Sequence, residues 1–132
     1  MDGTARLWSL SKQTQSQIYV PGKSTQLSPI KTLAYDDTRR VISVGHRDGI
    51  IRQYDRKTGK KVLELGNPKE APHAVQAMAV MGRTDFLAFA TDNNIMRIWD
   101  LSEDTQHSQH ALLSGVTSML YHQSNDLLFV GN

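Results

Sequence analysis

The 132 residues carry 15 basic and 13 acidic side chains, and a net charge of +2 is too small for the concentrated positive field of a nucleic-acid-binding domain. The absence of cysteine excludes disulfides, thiolate zinc sites and cysteine nucleophiles together. No apolar run approaches the roughly 18 residues of a membrane helix, and residues 1–4 do not resemble a signal peptide. We therefore expect an intracellular protein, in the cytoplasm, without nucleic-acid or membrane partners.

The first predicted elements are two strands joined by a polar connection. The first strand, residues 4–8, follows the dipeptide Asp2-Gly3, which tolerates the positive φ of a tight hairpin turn. Residues 9–16 are interpreted as the connection, and residues 17–20 as a strand that ends at Pro21-Gly22. Residues 1–29 are therefore interpreted as the second half of a unit.

The second unit, residues 30–65, contains four predicted strands with short turns. Asp36 and Asp37 are typical turn residues between the first two strands, and Gly59 suits a left-handed turn before the last. The predicted strands are residues 30–35, 41–44, 50–54 and 61–65.

The third unit, residues 75–113, repeats this arrangement, and residues 116–132 begin a fourth. The strands predicted for the third unit are residues 75–80, 86–91, 95–99 and 109–113, and residues 102–108 are interpreted as too polar for a strand. The last segment contains strands at 116–121 and 127–130 with a hairpin turn between them. It is the first half of another unit.

A nine-residue pattern occurs three times along the chain. Each copy opens with a turn and continues with a short strand that has Arg in its middle and ends on a large aromatic residue. The aromatic residues stand at positions 8, 54 and 99, in steps of 46 and 45 residues. A recurrence of this length indicates an array of supersecondary units. The turn residue and aromatic residue of the three copies are Asp2 and Trp8, Asp48 and Tyr54, and Asn93 and Trp99.

The pattern resembles the WD40 repeat, whose mark is a strand that ends on Trp-Asp, as at Trp99-Asp100. This resemblance implies an all-β, WD40-type β-propeller with about three blades of four antiparallel strands. Propellers have about four to eight blades, so three would not close a ring. The resemblance also implies a non-catalytic scaffold for protein or peptide partners, without a cofactor. The alternatives are a purely structural part of a larger propeller and, less favoured, a propeller-based enzyme.

The repeat has the same phase at both ends of the sequence. Ile30 precedes Asp48 by 18 positions and Val75 precedes Asn93 by 18, whereas the same count from Val116 would pass the last residue. Two explanations fit this phase. The chain is either part of a longer propeller, which we favour, or a homodimer that closes a six-bladed ring and removes its exposed strand edges.

In the WD40 family, partners dock on the face formed by turns before the aromatic strands and by loops before the innermost strands. The positions that match this face are Ser28, His46, Arg47, His73, Thr91, Asp92 and Ser114. The alternative, given equal weight, is that these are ordinary exposed turn residues. The family's hydrogen-bonded tetrad, to which the turn and aromatic residues above belong, is incomplete in every copy, so we expect apolar packing to dominate.

Other polar residues are interpreted as structural or solvated. Arg6, Arg52 and Arg97 share one repeat position, and we expect their stems to pack while their charged groups remain in solvent. His107 and His110 lack the further ligands that a zinc site requires. Because a nucleophile elbow and a phosphate-binding glycine loop are also absent, the sequence does not indicate an enzyme.

Overall fold

The computed structural model describes residues 3–20, 28–66, 72–82 and 84–132. Asp2, one of the repeat residues, lies outside the described residues. Within these ranges the chain forms twelve strands and no helix. The strands are β1 (Ala5–Ser9), β2 (Thr14–Tyr19), β3 (Ile30–Asp36), β4 (Val41–His46), β5 (Ile51–Asp55), β6 (Lys61–Leu65), β7 (Val75–Met81), β8 (Phe86–Thr91), β9 (Ile95–Asp100), β10 (Thr105–Ala111), β11 (Ser118–His122) and β12 (Leu127–Gly131).

The strands form antiparallel sheets in which each strand pairs with its neighbour in the chain. Strands β3 to β6 form one four-stranded sheet, the second blade, and β7 to β10 form another, the third blade. The hairpin β1–β2 precedes them and the hairpin β11–β12 follows them. The all-β fold of four-stranded antiparallel blades is therefore confirmed, and the blades do not close into a ring.

Three apolar interfaces stack these units in chain order. At the first interface, Ala5 and Tyr19 of the β1–β2 hairpin pack against Val44 and Tyr54 of the second blade. The second interface joins the second and third blades, and the third joins the third blade to Val116 and Met119. Strand β7 contacts β3 on one side and β11 on the other, so the first strands of successive units are neighbours.

The sequence of the central strands reflects burial on both faces. Ile51 packs in the second interface while Tyr54, on the opposite face of β5, packs in the first. All residues of β5 except Asp55 are consequently buried. Because successive side chains of a strand point to opposite faces, a sheet enclosed by two neighbours buries side chains in both directions.

The turn before each aromatic strand has the same backbone conformation. Gly3, Gly49 and Asn94 occupy one repeat position, and their φ angles are 65°, 81° and 61°. Glycine and asparagine are the residues that enter this left-handed region most easily. The repeat therefore conserves the shape of the turn even where Asn94 replaces glycine.

Two outer strands correct the boundaries expected from sequence. Strand β2 begins at Thr14, inside the segment interpreted as a connection, and β10 begins at Thr105, inside the segment interpreted as too polar. Most side chains of both strands are exposed. An outermost strand is held by its pairing with one neighbour, so polar side chains do not prevent it from forming.

Candidate interaction face

The turn between β4 and β5 is fastened to the loop that enters β3. The Nδ1 atom of His46 donates a hydrogen bond to the carbonyl oxygen of Ser28 at 2.9 Å. The backbone N–H of Asp48 donates to the Ser28 hydroxyl at 3.0 Å, and that of Arg47 donates to the Pro29 carbonyl at 2.9 Å. These bonds fix the position of the turn from which the exposed Arg47 side chain projects.

His46 supports this turn from inside the protein. Its side chain is fully buried, and burial lowers its pKa below the ordinary value, an effect that the hydrogen bond to Ser28 partly opposes and that nearby Arg52 adds to. The imidazole is therefore held neutral, with its proton on Nδ1. This placement corrects the expectation that His46 contacts a partner directly.

The third blade presents an equivalent turn with a different polar pair. The backbone N–H of Asp92 donates to the Ala74 carbonyl at 3.0 Å, and Nδ1 of His73 lies 3.0 Å from Oδ1 of Asp92. The side chains of His73 and Asp92 are 46% and 40% exposed. The structure thus brings two predicted residues together, and the partner of His73 is Asp92.

The two turns meet across the boundary between the blades. A Cβ atom added to Gly49 would lie 2.8 Å from the carbonyl oxygen of His73, so the turn of the second blade abuts the loop entering the third. The polar groups of these turns consequently belong to one continuous surface. We call this surface, formed by Ser28, Arg47, Asp48, His73 and Asp92, the interaction face.

The remaining predicted residues lie beneath this face or at the next loop. Thr91 is buried, donates its hydroxyl proton to Asn93 Oδ1 at 2.6 Å and accepts a hydrogen bond from Arg97 at 3.1 Å. Ser114 is exposed, and its hydroxyl accepts a hydrogen bond from the Asn132 side-chain amide at 2.7 Å. Thr91 is therefore a supporting residue of the turn, while Ser114 is accessible.

Arg52 departs from the solvated role expected of the repeat arginines. Only 2% of its side chain is exposed, and its guanidinium lies 3.0 Å from Asp48 Oδ2 and 3.5 Å from Glu64 Oε2. Glu64 also accepts a hydrogen bond from Lys61 Nζ at 2.8 Å. The expectation is wrong here because two carboxylates compensate the buried charge. The signal for this ion pair in the sequence is Asp48, four positions before Arg52.

The three repeat aromatics differ in burial because each faces the preceding unit. Tyr54 is 1% exposed, and its ring centroid lies 5.8 Å from that of Tyr19. Trp99 packs against the cluster that contains Ile51 of the second blade, and its indole N–H donates to Asp104 at 3.3 Å. Trp8 is 57% exposed, since no earlier unit covers it within the described residues.

A cavity of about 430 Å³ lies between the second and third blades, beside the interaction face. Its lining is mixed: Leu65, Phe89 and Trp99 are apolar, and the polar residues include Asp48, Glu64, His73, Arg97 and Asp104. We call it the inter-blade groove. Ligand pockets commonly have this size.

The described ranges offer neither a metal-ligand cluster nor a membrane helix. Across residues 3–20, 28–66, 72–82 and 84–132, His, Cys, Asp and Glu side chains do not assemble in threes with metal-binding geometry. In that same part of the chain, no helix has the length and apolar character needed to cross a bilayer.

Comparison with known proteins supports the fold. No family model matches the sequence. The U3 small nucleolar RNA-associated protein 21 homolog of Schizosaccharomyces pombe, a WD-repeat protein, is 21% identical over 129 residues, which are 98% of this chain and 14% of that protein. A chain in the crystal structure of the mitotic checkpoint complex matches with a TM-score of 0.80 at 19% identity, over 99% of this chain and 38% of that one. The structural match shows a β-propeller fold, of which this chain spans a part.

Proposed function

We propose that this chain is a stretch of a WD40-type propeller and acts as a non-catalytic platform for protein or peptide partners at the interaction face. The observation that carries the proposal is the contact of Gly49 with the His73 backbone, which joins the turns of two blades into one surface. Backbone hydrogen bonds hold both turns, so little conformational entropy is lost when a partner binds. Rigidly supported loops are the usual place for binding residues.

The charge and chemistry of the described residues favour binding of proteins over the other classes. Arg47 and Asp92 stand at equivalent turn positions with opposite charge, which gives a mixed surface suited to a protein partner rather than to nucleic acid. The hydrogen bonds of His46, His73 and Thr91 hold turns together, which supports a scaffold over an enzyme. We place the protein inside the cell, and the nucleolar relative favours the nucleus over the cytoplasm that we expected from sequence.

The test is a triple substitution, Arg47→Ala, His73→Ala and Asp92→Ala, in the whole protein. Cells carrying the protein would be treated with a short cross-linker, and cross-linked partners would be quantified by mass spectrometry. We expect at least one partner to be lost. A matched control is Asp37→Ala, Lys57→Ala and His122→Ala, which removes similar exposed groups at the opposite ends of the strands.

The purely structural alternative makes the opposite prediction. If the triple variant keeps every cross-link of the wild-type protein while remaining folded, the binding surface lies elsewhere. Turnover by the purified protein would favour the enzyme alternative and would overturn the proposal.

We further propose that additional β-strands cover the two end hairpins in the assembled protein. Leu33 and Tyr35 beside the first hairpin, and Leu120 and Phe129 of the last, are large exposed apolar side chains. These strands belong either to a longer chain or to a second copy of this one. Light scattering of the purified 132-residue chain separates the two: a discrete folded dimer supports the second copy, and a monomer or heterogeneous aggregate supports the longer chain.

A further inference from the structure

Arg97 occupies the same repeat position as Arg52 but lacks the two carboxylates that Arg52 has. Arg52 pairs with Asp48 in the preceding turn and with Glu64, which stands opposite it on the neighbouring strand. In the third blade the turn residue is Asn93, and the residue opposite Arg97 is Gln109. Both acidic positions have therefore been replaced by neutral amides.

The guanidinium of Arg97 consequently has unused capacity for an anion. Its one hydrogen bond to another side chain within the described ranges goes to the hydroxyl of Thr91, at 3.1 Å, and no described carboxylate forms an ion pair with it. A guanidinium offers five N–H donors in a planar fork that matches a carboxylate. A carboxylate of another molecule can therefore pair with Arg97 as Asp48 and Glu64 pair with Arg52.

The inter-blade groove brings this charge beside an apolar surface. Phe89 stands opposite Arg97 on the neighbouring strand, and Phe89, Trp99 and Arg97 all line the groove. The partly buried position of Arg97 reduces its screening by water, which strengthens a charge-assisted hydrogen bond. Hydrophobic and ionic recognition are therefore available at adjacent points.

The acidic groups along the groove already have partners. Asp48 and Glu64 pair with Arg52, and Asp104 accepts the hydrogen bond of the Trp99 indole. His73 pairs with Asp92 at the mouth. Arg97 is therefore a cation of the groove that no described carboxylate pairs with, while Asp104 is bonded to a neutral donor and keeps its negative charge.

We propose that the inter-blade groove binds an acidic and apolar segment of a partner protein. An Asp or Glu side chain of that segment pairs with Arg97, and a neighbouring apolar side chain packs against Phe89 and Trp99. This inference rests on the proposed function, because it names the chemistry of a partner that reaches the interaction face. It also makes Arg97 the specificity-determining residue of the groove, since its guanidinium selects for a carboxylate at that point.

The test compares two capped peptides, acetyl-Leu-Glu-Phe-amide and acetyl-Leu-Gln-Phe-amide, which differ in one charge. The chain has two tryptophans, so its two indole N–H signals in a ¹⁵N–¹H spectrum report on Trp99 and, as an internal control, on the distant Trp8. We expect the Glu peptide to shift the Trp99 signal saturably and to bind at least about tenfold more tightly than the Gln peptide, a difference of about 1.4 kcal/mol.

Variants of Arg97 test whether its guanidinium causes the preference for the Glu peptide. Arg97→Gln should remove the preference for Glu, and Arg97→Lys, which keeps the charge but not the fork, should restore part of it. Arg56→Gln is the matched control and should leave the preference intact, because Arg56 is exposed and does not line the groove. Signal dispersion in the same spectra verifies that each variant is folded.

Four results would overturn the inference. Three are equal affinity for the two peptides, absence of binding by either, and a preference for Glu that persists in Arg97→Gln. The fourth is tighter binding of both peptides after Glu70→Gln, in the segment 67–71 outside the described residues, which would show that the chain itself supplies the carboxylate. The proposed function fails separately, through the cross-linking test. If the groove binds the Glu peptide but the triple variant keeps all its partners, this inference stands and the proposed function fails.

Discussion

At the scale of single residues, the hydroxyl of Tyr54 is a buried polar group without a hydrogen-bond partner among the described residues. We expect Tyr54→Phe to leave the free energy of unfolding unchanged or to raise it by up to about 1 kcal/mol, because it removes an unpaired group. Tyr54→Ala should lower it by about 3–5 kcal/mol, because it opens a cavity in the first interface. Urea denaturation measures both. A loss above about 1 kcal/mol in Tyr54→Phe would show that the hydroxyl is bonded in solution.

The burial of His46 predicts loss of stability in mild acid. Its pKa is lowered in the folded protein, mainly by burial, whereas the unfolded chain should have the ordinary value near 6.5. As the pH falls through that value, the unfolded state binds the proton first, so the free energy of unfolding decreases. The decrease ends only below the lowered folded pKa. Denaturation curves between about pH 8 and pH 5 measure it.

Two variants assign this pH dependence to His46. His46→Asn keeps a donor for the Ser28 carbonyl but does not titrate, so the decrease should become smaller. His122→Gln changes an exposed histidine and should leave the decrease as it is. A pH profile that is identical in the wild type and in His46→Asn would contradict the prediction.

At the scale of elements, strand β4 and strand β7 approach closely at Gly45. An added Cβ would lie 2.7 Å from both Thr32 Cγ2 and Val75 Cγ1. Gly45→Ala should therefore separate the second and third blades and cost about 1–3 kcal/mol of stability. Thermal and urea unfolding would measure the cost, with Gly82→Ala as control, since the nearest atom there is 3.9 Å away.

A second set of variants tests whether steric contact causes the loss of stability in Gly45→Ala. Thr32→Ser and Val75→Ala remove the two obstructing methyl groups. In that background Gly45→Ala should cost at least about 1 kcal/mol less than in the wild type, because contacting residues couple by about 0.5–3 kcal/mol. Additive losses would mean that steric contact is not the reason for glycine at this position.

The sequence predicted elements better where both faces of a strand are buried. The order of strands in the second blade follows from apolar and β-branched residues between turn residues, and β4 and β5 match closely. The expected bounds of β2 and β10 are wrong because an outer strand needs pairing with a neighbour rather than apolar side chains. Single-chain periodicity cannot show which strand will be outermost.

The candidate face was predictable in location but not in detail. The repeat placed Arg47 and Asp92 at turns before the aromatic strands, yet it did not show that His46 points inward or that His73 pairs with Asp92. The burial of Arg52 depends on Glu64, which lies opposite it only after β5 and β6 pair. Such contacts come from the register of the folded sheet.

At the scale of the whole molecule, local stability should follow the number of neighbouring units. Strands β4, β5, β7 and β8 lie in blades with neighbours on both sides, whereas β11 and β12 have a neighbour on one side within the described chain. Hydrogen exchange should accordingly be slowest in the four central strands and fastest in the two end hairpins. Equal protection of β11 and β12 in the 132-residue chain would show that another copy covers them.

Because each aromatic strand packs against the preceding unit, the blades can assemble in the order in which they are synthesised. When Tyr54 leaves the ribosome, Ala5 and Tyr19 have already been synthesised, and when Trp99 follows, Ile51 is in place. During translation each new blade can therefore pack one face on the preceding unit, while its other face, which includes Ile51 in the second blade, is covered only when the next unit follows. Biosynthesis would then assemble the blades one after another, with the newest face and the exposed apolar side chains at the first hairpin open to misassociation.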